Sequence, residues 1–83
     1  MLNRLTERRC ASATSDSGET RLFDGGGLYL AVRPTGSKSW KYKYRFAGRE
    51  RKLTIGPYPL ISLKSARDAR DEAKRHLLQG QDP

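Results

Sequence analysis

The chain has 83 residues, of which 17 are Lys or Arg and only 9 are Asp or Glu, so its formal net charge at pH 7 is +8. A chain this short leaves much of its surface in water and forms only a small core, which excludes a large enzyme with a buried cofactor. No run of residues approaches the roughly 18–20 apolar residues of a membrane-spanning helix, and the N-terminus lacks the apolar segment of a secretory signal.

The first part of the chain predicts a leader followed by a hairpin. Residues 1–19 are polar and follow no clear period, so we expect a flexible leader in which only Leu5-Thr6-Glu7 is suited to start a helical turn. Residues 20–23 are a candidate short strand. Asp24-Gly25-Gly26-Gly27 then predicts a hairpin turn, because an Asp-Gly turn needs positive φ values that glycine adopts without steric cost.

Three segments with alternating apolar and polar residues follow. They cover residues 28–33, 39–46 and 51–55, with turn residues at 34–37 and 47–48 between them. A period of two indicates a sheet with one buried face and one wet face. The connections are too short for crossovers, so we expect the strands to be antiparallel.

A helix is predicted after the sheet. Pro57-Tyr58-Pro59 cannot continue a central strand, and Ser62 is a suitable N-cap. Apolar residues then recur at helical spacing, at Leu63, Ala66, Ala69, Ala73 and Leu77. Gly80 is a suitable stop. The sequence therefore predicts an α+β domain, a small three- to four-stranded antiparallel β-sheet packed on one face by a C-terminal α-helix.

The positive charge is concentrated in residues 38–52. Glu50 is the one acidic residue there, and it stands against Lys38, Lys41, Lys43, Arg45, Arg49, Arg51 and Lys52. A concentrated basic patch is the electrostatic footprint of a protein that binds a polyanion.

The alternation also assigns the charges to one face of the sheet. The apolar face carries Leu28, Leu30, Val32, Trp40, Tyr42, Tyr44, Phe46, Leu53 and Ile55. The other face, here called the open face, carries Tyr29, Arg33, Lys41, Lys43, Arg45, Lys52 and Thr54. The apolar stripe of the helix must cover the apolar face, which leaves the cations of the open face exposed and mutually repelling.

Double-stranded DNA is the polyanion that fits this face, because a small sheet can enter the major groove. The candidate DNA-binding residues are those of the open face together with Lys38 and Arg49. Arg and Lys can contact phosphates or guanine, and Thr54 can contact a thymine methyl group. If about five phosphates are neutralised, log K falls with log salt at a slope near −4.5. The affinity for DNA then falls roughly 500-fold when the salt concentration rises from 50 to 200 mM.

Other interpretations remain open at this stage. The cations can form a merely solvated surface. Tyr29 and Trp40 can act as stacking platforms for RNA or a single strand. A helix face with Arg67, Arg70, Asp71 and Lys74 can bind a protein, although i,i+4 pairing such as Arg67 with Asp71 is the simpler interpretation.

The residues of covalent and metal chemistry are scarce. Cys10 and His76 are the only cysteine and histidine, too few for a zinc site, and no base accompanies Cys10 in the sequence. A single cysteine forms no internal disulfide, which fits a reducing cytoplasm. We expect no catalytic residue, no metal site and no cofactor in this chain.

Several motifs in residues 20–83 form a joint pattern. They are Leu22-Phe23-Asp24-Gly25-Gly26-Gly27-Leu28-Tyr29-Leu30, Pro34-Thr35-Gly36-Ser37-Lys38-Ser39-Trp40, Tyr44-Arg45-Phe46-Ala47-Gly48-Arg49, Leu53-Thr54-Ile55-Gly56-Pro57-Tyr58-Pro59, Ser62-Leu63 with Ala66-Arg67, and Gly80-Gln81-Asp82-Pro83. Together they resemble one family, the N-terminal arm-type DNA-binding domains of tyrosine recombinases, the integrases of prophages and genomic islands.

The resemblance implies recognition of arm-type attachment sites by a sheet set in the major groove. It carries over most directly to Arg33, Lys41, Lys43, Arg45 and Lys52. It further implies that catalysis belongs to other domains of a longer recombinase, from which residues 20–83 would be an excised domain. The expected partners are double-stranded DNA, other integrase protomers and accessory recombination proteins, at the bacterial nucleoid and not at a membrane.

Overall fold

Four strands and two helices make up residues 3–83, the part of the chain that the computed structural model describes. In chain order they are α1 (Glu7–Ser12), β1 (Thr20–Gly25), β2 (Leu28–Val32), β3 (Lys38–Phe46), β4 (Arg49–Pro57) and α2 (Leu63–Leu78). The strands form one antiparallel sheet in the order β1-β2-β3-β4. The predicted α+β class, the four-stranded antiparallel sheet and the C-terminal helix are confirmed.

The β1–β2 turn is held close to strand β3 by a glycine. The backbone N–H of Lys43 donates to the carbonyl oxygen of Gly27 at 2.8 Å. A Cβ at Gly27 would lie 2.3 Å from the carbonyl oxygen of Lys43, and the φ of this residue is 93°. Only glycine combines that close approach with that backbone conformation, so Gly27 fixes how the first hairpin meets the third strand.

The core lies between the sheet and α2. Leu28, Leu30 and Trp40 are fully buried on this side of the sheet, and Leu63 and Ala66 of α2 pack against them. The indole N–H of Trp40 donates to the carbonyl oxygen of Ile61 at 2.7 Å, which satisfies its one polar atom. The small alanine side chain lets the helix backbone approach the sheet, as its sequence predicts.

Both ends of α2 are as the sequence predicts. The side chain of Ser62 accepts a hydrogen bond from the backbone N–H of Ser65 at 3.1 Å, as an N-cap does. At the other end Gly80 has a φ of 76° and its N–H donates to the carbonyl of Leu77. The N–H of Gln81 donates to the carbonyl of His76 at 2.8 Å, which completes a Schellman motif.

Residues 3–13 differ from the flexible leader that the sequence predicts. Thr6 caps helix α1, and Leu5, Cys10 and Ala13 are buried in the core. The Glu7 carboxylate accepts hydrogen bonds from the backbone N–H of Leu63 at 2.9 Å and from the hydroxyl of Tyr58 at 3.2 Å, so it caps α2 from outside. These contacts join residues far apart in the chain and leave no periodic signal in the segment itself.

Cys10 is buried with this segment. Burial raises the pKa of its thiol above the ordinary value, and the nearby Glu7 and Asp24 carboxylates raise it further. The side chain therefore serves as a small apolar core residue and stays protonated at neutral pH.

The β3–β4 turn contains an alanine in a left-handed conformation. Ala47 has a φ of 53° and Gly48 a φ of 76°, the backbone of a type I′ hairpin turn. The left-handed conformation costs an alanine roughly 1–2 kcal/mol, and asparagine adopts this conformation more readily. We expect Ala47→Asn to stabilise the domain by about 0.5–1 kcal/mol in urea unfolding. Gly48→Ala should have the opposite effect, and destabilisation by Ala47→Asn would contradict the assigned turn.

Within residues 3–83, neither helix is long and apolar enough to cross a membrane.

Candidate nucleic-acid interface

The strand register defines the open face of the sheet. Lys41 lies opposite Tyr29 on one side and Thr54 on the other, Lys43 lies opposite Lys52, and Arg45 lies opposite Glu50. These residues alternate with Trp40 and Tyr42, which point to the core side. The pleat therefore places the cations on the face turned away from the helices.

Like charges face one another across β3 and β4. Lys43 and Lys52 form a directly opposed pair, and the exposed Arg45 lies on the same face. One carboxylate offsets part of this charge, because Glu50 lies 3.1 Å from the ammonium group of Lys43. Both partners are more than one third exposed, so this ion pair contributes little stability. The face remains strongly positive.

The remaining predicted residues of this face are one arginine at its end and two residues of β4. Arg33 follows β2 and is exposed in the β2–β3 turn, where its N–H donates to Ser37 and its carbonyl accepts from Gly36, both at 2.9 Å. Thr54 is exposed on β4 beside Lys41. The exposed side chain of Lys52 completes the set.

Tyr29 lies beneath the open face and is not part of its surface. Its side chain is fully buried, with the Phe23 ring centroid at 5.1 Å and the Arg21 guanidinium carbon 5.2 Å above the ring. Its hydroxyl is buried and has no hydrogen-bond partner among the described residues. The expected direct contact of Tyr29 with DNA is therefore not available in this conformation, because Arg21 and Phe23 of the edge strand cover its ring.

Lys38 and Arg49 also lie apart from the open face. The ammonium group of Lys38 donates to the carbonyl oxygens of Cys10 and Ala11 at 2.8 and 2.9 Å, so it binds the C-terminal end of α1. Arg49 is paired with Phe46, whose side of the sheet is that of the core. The alternation of the sequence did not reveal the role of Lys38, because the α1 carbonyls that it binds come from a segment with no periodic signal.

The edge strand β1 adds two side chains to the open face that were not among the predicted residues. Leu22 packs toward the core, so its neighbours Arg21 and Phe23 must point to the open face, and both are exposed. The Nε of Arg21 donates to an oxygen of Glu19 at 3.0 Å. The signal was the alternation of residues 20–23, which is too short to be decisive alone.

A buried ion cluster at the end of the first hairpin was also unforeseen. Asp24 is fully buried and accepts hydrogen bonds from Arg67 at 2.9 Å and from Arg70 at 3.3 Å. Arg67 also donates to the carbonyl of Leu5 at 2.8 Å, and Arg70 is itself buried. The predicted pairing of Arg67 with Asp71 is wrong, because a buried carboxylate binds a guanidinium more strongly than an exposed one.

Burial raises the pKa of the Asp24 carboxyl, but the hydrogen bonds from Arg67 and from the backbone N–H of Leu5 lower it by more. The net pKa lies below the ordinary value, so Asp24 is ionised at neutral pH. The cluster joins the residues before α1, the β1–β2 turn and α2.

The buried hydroxyl of Tyr29 provides a test of this arrangement. A buried hydroxyl without a partner costs about 1–3 kcal/mol of desolvation. Tyr29→Phe should therefore leave the free energy of unfolding unchanged or raise it by up to about 1 kcal/mol, with unchanged DNA affinity. Tyr29→Ala should lose about 3–5 kcal/mol, as other buried aromatic truncations do. A loss of DNA affinity in Tyr29→Phe would show instead that the hydroxyl contacts DNA.

The described residues contain no cluster of three or more His, Cys, Asp or Glu arranged to hold a metal ion, and they enclose no pocket.

A small α+β domain with helices on one side of its sheet and cations on the other has the charge distribution of a module that binds a polyanion. The profile of the arm DNA-binding domain family matches residues 5–83. The chain belongs to this family, a DNA-binding domain of phage and prophage integrases, and the resemblance drawn from the sequence motifs is confirmed.

Individual relatives support this assignment. The integrase of Shigella phage Sf6 is 40% identical over 79 residues, which is 95% of this chain and 20% of that protein. The integrase of Enterobacteria phage P4 is 43% identical over 82 residues, 96% of this chain and 19% of that protein. Prophage integrase IntZ of Escherichia coli K12 is 44% identical over 81 residues, 95% of this chain and 20% of that protein. The chain spans about one fifth of the length of these curated relatives.

Proposed function

We propose that this domain binds double-stranded DNA through the open face of its sheet, with the strands lying in the major groove, at the arm-type attachment sites of a phage-type integrase. The observation that carries the proposal is the separation of the two faces. Trp40 and the leucines of β2 face α2, whereas Lys41, Lys43 and Arg45 of the same β3 strand face solvent.

The open face has the chemistry that a duplex requires. Lys41, Lys43, Arg45 and Lys52 present cations along two adjacent strands, so several phosphates can be contacted without side-chain rearrangement of the core. Arg33 extends the charge beyond the end of β2. Thr54 presents a methyl group next to Lys41, which suits a thymine in the groove.

The geometry favours a duplex over a single strand. Single-strand and RNA modules stack bases on exposed aromatic rings. Trp40 and Tyr29, which the sequence offered for this role, are both fully buried. Among the described residues, Phe23 is the one aromatic side chain of the open face that is exposed enough, at 48%, to stack on a base.

A protein-binding role for the exposed side of α2 has less support. Two of the residues proposed for it, Arg67 and Arg70, are engaged by Asp24. We propose that other integrase protomers and accessory recombination proteins are partners of the whole recombinase, and that strand exchange is carried out by domains other than this one. The homologous integrases are about five times longer than the segment they share with this chain.

The test is fluorescence anisotropy with a duplex from the flank of the attachment site and with a scrambled duplex, both across a salt series. We expect tighter binding to the flank and a slope of log K against log salt near −4.5, for about five phosphate contacts. A single strand of the flank sequence should compete poorly. Equal binding to both duplexes would contradict arm-site recognition, and the absence of binding at low salt would overturn the DNA proposal altogether.

A further inference from the structure

The edge strand β1 carries an arginine whose setting differs from that of the lysines on the same face. Arg21 is 39% exposed in its side chain, and its Nε is bound to Glu19, whose side chain is 25% exposed. Its guanidinium carbon lies 5.2 Å above the ring of Tyr29, and that ring is fully buried. The side chain is therefore held in place on two sides, by a carboxylate and by an aromatic platform.

The contact with Glu19 occupies only one edge of the guanidinium. Among residues 3–83, the Nε atom of Arg21 has a hydrogen-bond partner, and the two Nη atoms have none. The free pair of Nη donors is the fork with which an arginine binds two acceptors at once. The hydrogen bond from Arg21 to Glu19 also raises the pKa of the guanidinium, so the side chain is always charged.

The neighbouring carboxylate decides which acceptors suit this fork. Glu19 offsets the charge of Arg21, so a phosphate gains less from this side chain than from Lys41 or Lys52, which have no ion-pair partner among the described residues. The O6 and N7 atoms of guanine are neutral acceptors and are spaced for a bidentate arginine. A fixed, charge-compensated fork is therefore matched to a base edge, whereas the lysines are matched to phosphates.

We infer that Arg21, held by Glu19 and by the ring of Tyr29, reads a guanine in the major groove and is a specificity-determining residue of the open face. The inference rests on the proposed function, because it requires that the open face enters the groove. In this inference, strand β1 recognises the DNA sequence. Lys41 and Lys52 of the β3–β4 ribbon make the contacts that position the duplex.

The experiment selects duplexes with a randomised centre on the wild-type chain and on Arg21→Lys, and sequences the bound fractions. The lysine keeps the charge but lacks the fork, so the salt slope should be unchanged. We expect the wild type to enrich a motif with a guanine position whose preference is clearly weaker in Arg21→Lys, because a lysine can contact guanine but lacks the fixed fork, while other positions are kept. In the selected duplex, 7-deazaguanine at that position should weaken wild-type binding by roughly 5- to 150-fold and weaken the binding of Arg21→Lys by less.

Two further variants serve as controls. Lys41→Ala should weaken binding to all duplexes alike and reduce the salt slope by about 0.9, with the selected motif unchanged. Arg49→Lys, on the opposite side of the sheet, should change neither readout.

The outcomes separate the inference from the proposed function. If the wild type and Arg21→Lys select the same motif with the same preferences, Arg21 does not read a base and the inference is overturned alone. If the wild type binds no duplex, or enriches no motif, the proposed function fails and the inference fails with it.

Discussion

Replacing Asp24 by alanine is expected to destabilise the domain by about 3–5 kcal/mol, because it leaves two guanidinium groups without their shared carboxylate. Arg70 is only 3% exposed, so it cannot regain hydration without disrupting the packing of α2. The backbone N–H of Leu5 also loses its acceptor. A domain of this size is stable by roughly 4–12 kcal/mol, so the variant should be largely or partly unfolded in a urea titration at 25 °C.

The matched control is an exposed aspartate on α2. Asp68 is 70% exposed in its side chain, and its ion pair with Lys64 spans 3.9 Å. Asp68→Asn should change the free energy of unfolding by less than about 0.5 kcal/mol. Asp24→Asn keeps the side-chain volume and one acceptor, so it should lie between the two. An Asp24→Ala variant within about 1 kcal/mol of wild type would show that the cluster is not a structural centre.

Acid should weaken the same ion cluster, which Asp24 forms with Arg67 and Arg70, and so destabilise the domain. The folded pKa of Asp24 lies below its ordinary value of 3.8, so folding favours the ionised form. The stabilisation from this group is therefore complete at pH values above that ordinary value, and it is lost progressively as the pH falls below about 4 toward the folded pKa. Urea midpoints measured from pH 6 to pH 2 should fall steeply in the wild type and less steeply in Asp24→Asn. Parallel curves would assign acid sensitivity to other carboxylates.

The double charge reversal Arg45→Glu/Lys52→Glu is expected to weaken duplex binding at 0.1 M salt by at least about 60-fold, the contribution of two phosphate contacts. The slope of log K against log salt should become shallower by about 1.8. Both side chains are exposed, so the fold should tolerate the change. In the sheet, the carboxylate introduced on β3 would face Glu50, whereas the carboxylate introduced on β4 would face Lys43, so the two cross-strand effects offset each other.

A second double reversal separates the open face from overall charge. Arg49→Glu/Lys74→Glu also lowers the formal net charge from +8 to +4, since each reversal removes two charges. Arg49 lies on the core side of the β3–β4 hairpin and Lys74 is exposed on α2. At 0.1 M salt, charges beyond about 10 Å are largely screened, so this variant should lose less than about 5-fold. Equal losses in the two variants would show that binding follows net charge and not the open face.

Prediction from sequence succeeded where the information is local. Alternation in residues 28–33 and 39–46 assigned β2 and β3 and placed Lys41, Lys43 and Arg45 on one face, as the register confirms. Ser62 and Gly80 marked the ends of α2, because caps depend on a few adjacent residues. The resemblance of several motifs to arm-type domains identified the family that the comparison confirms.

Prediction from sequence failed where a side chain contacts a segment that is distant in the chain. Lys38 follows the charge pattern of the patch but binds the carbonyls at the end of α1. Tyr29 follows the alternation of the open face but is covered by Arg21 and Phe23 from the edge strand. Neither fact is visible in the residues adjacent to Lys38 or Tyr29, because burial depends on which strand lies alongside.

By itself, the sequence determined the class of the domain, the antiparallel sheet, the helix that covers it and the face that carries its charge, because periodicity and capping act over a few residues. Only the tertiary structure decided that the segment before β1 joins the core, that Asp24 binds Arg67 and Arg70, and that Arg21 stands on the ring of Tyr29. These contacts span from 8 to more than 40 positions in the chain, and their energy depends on burial, which no local pattern of residues records.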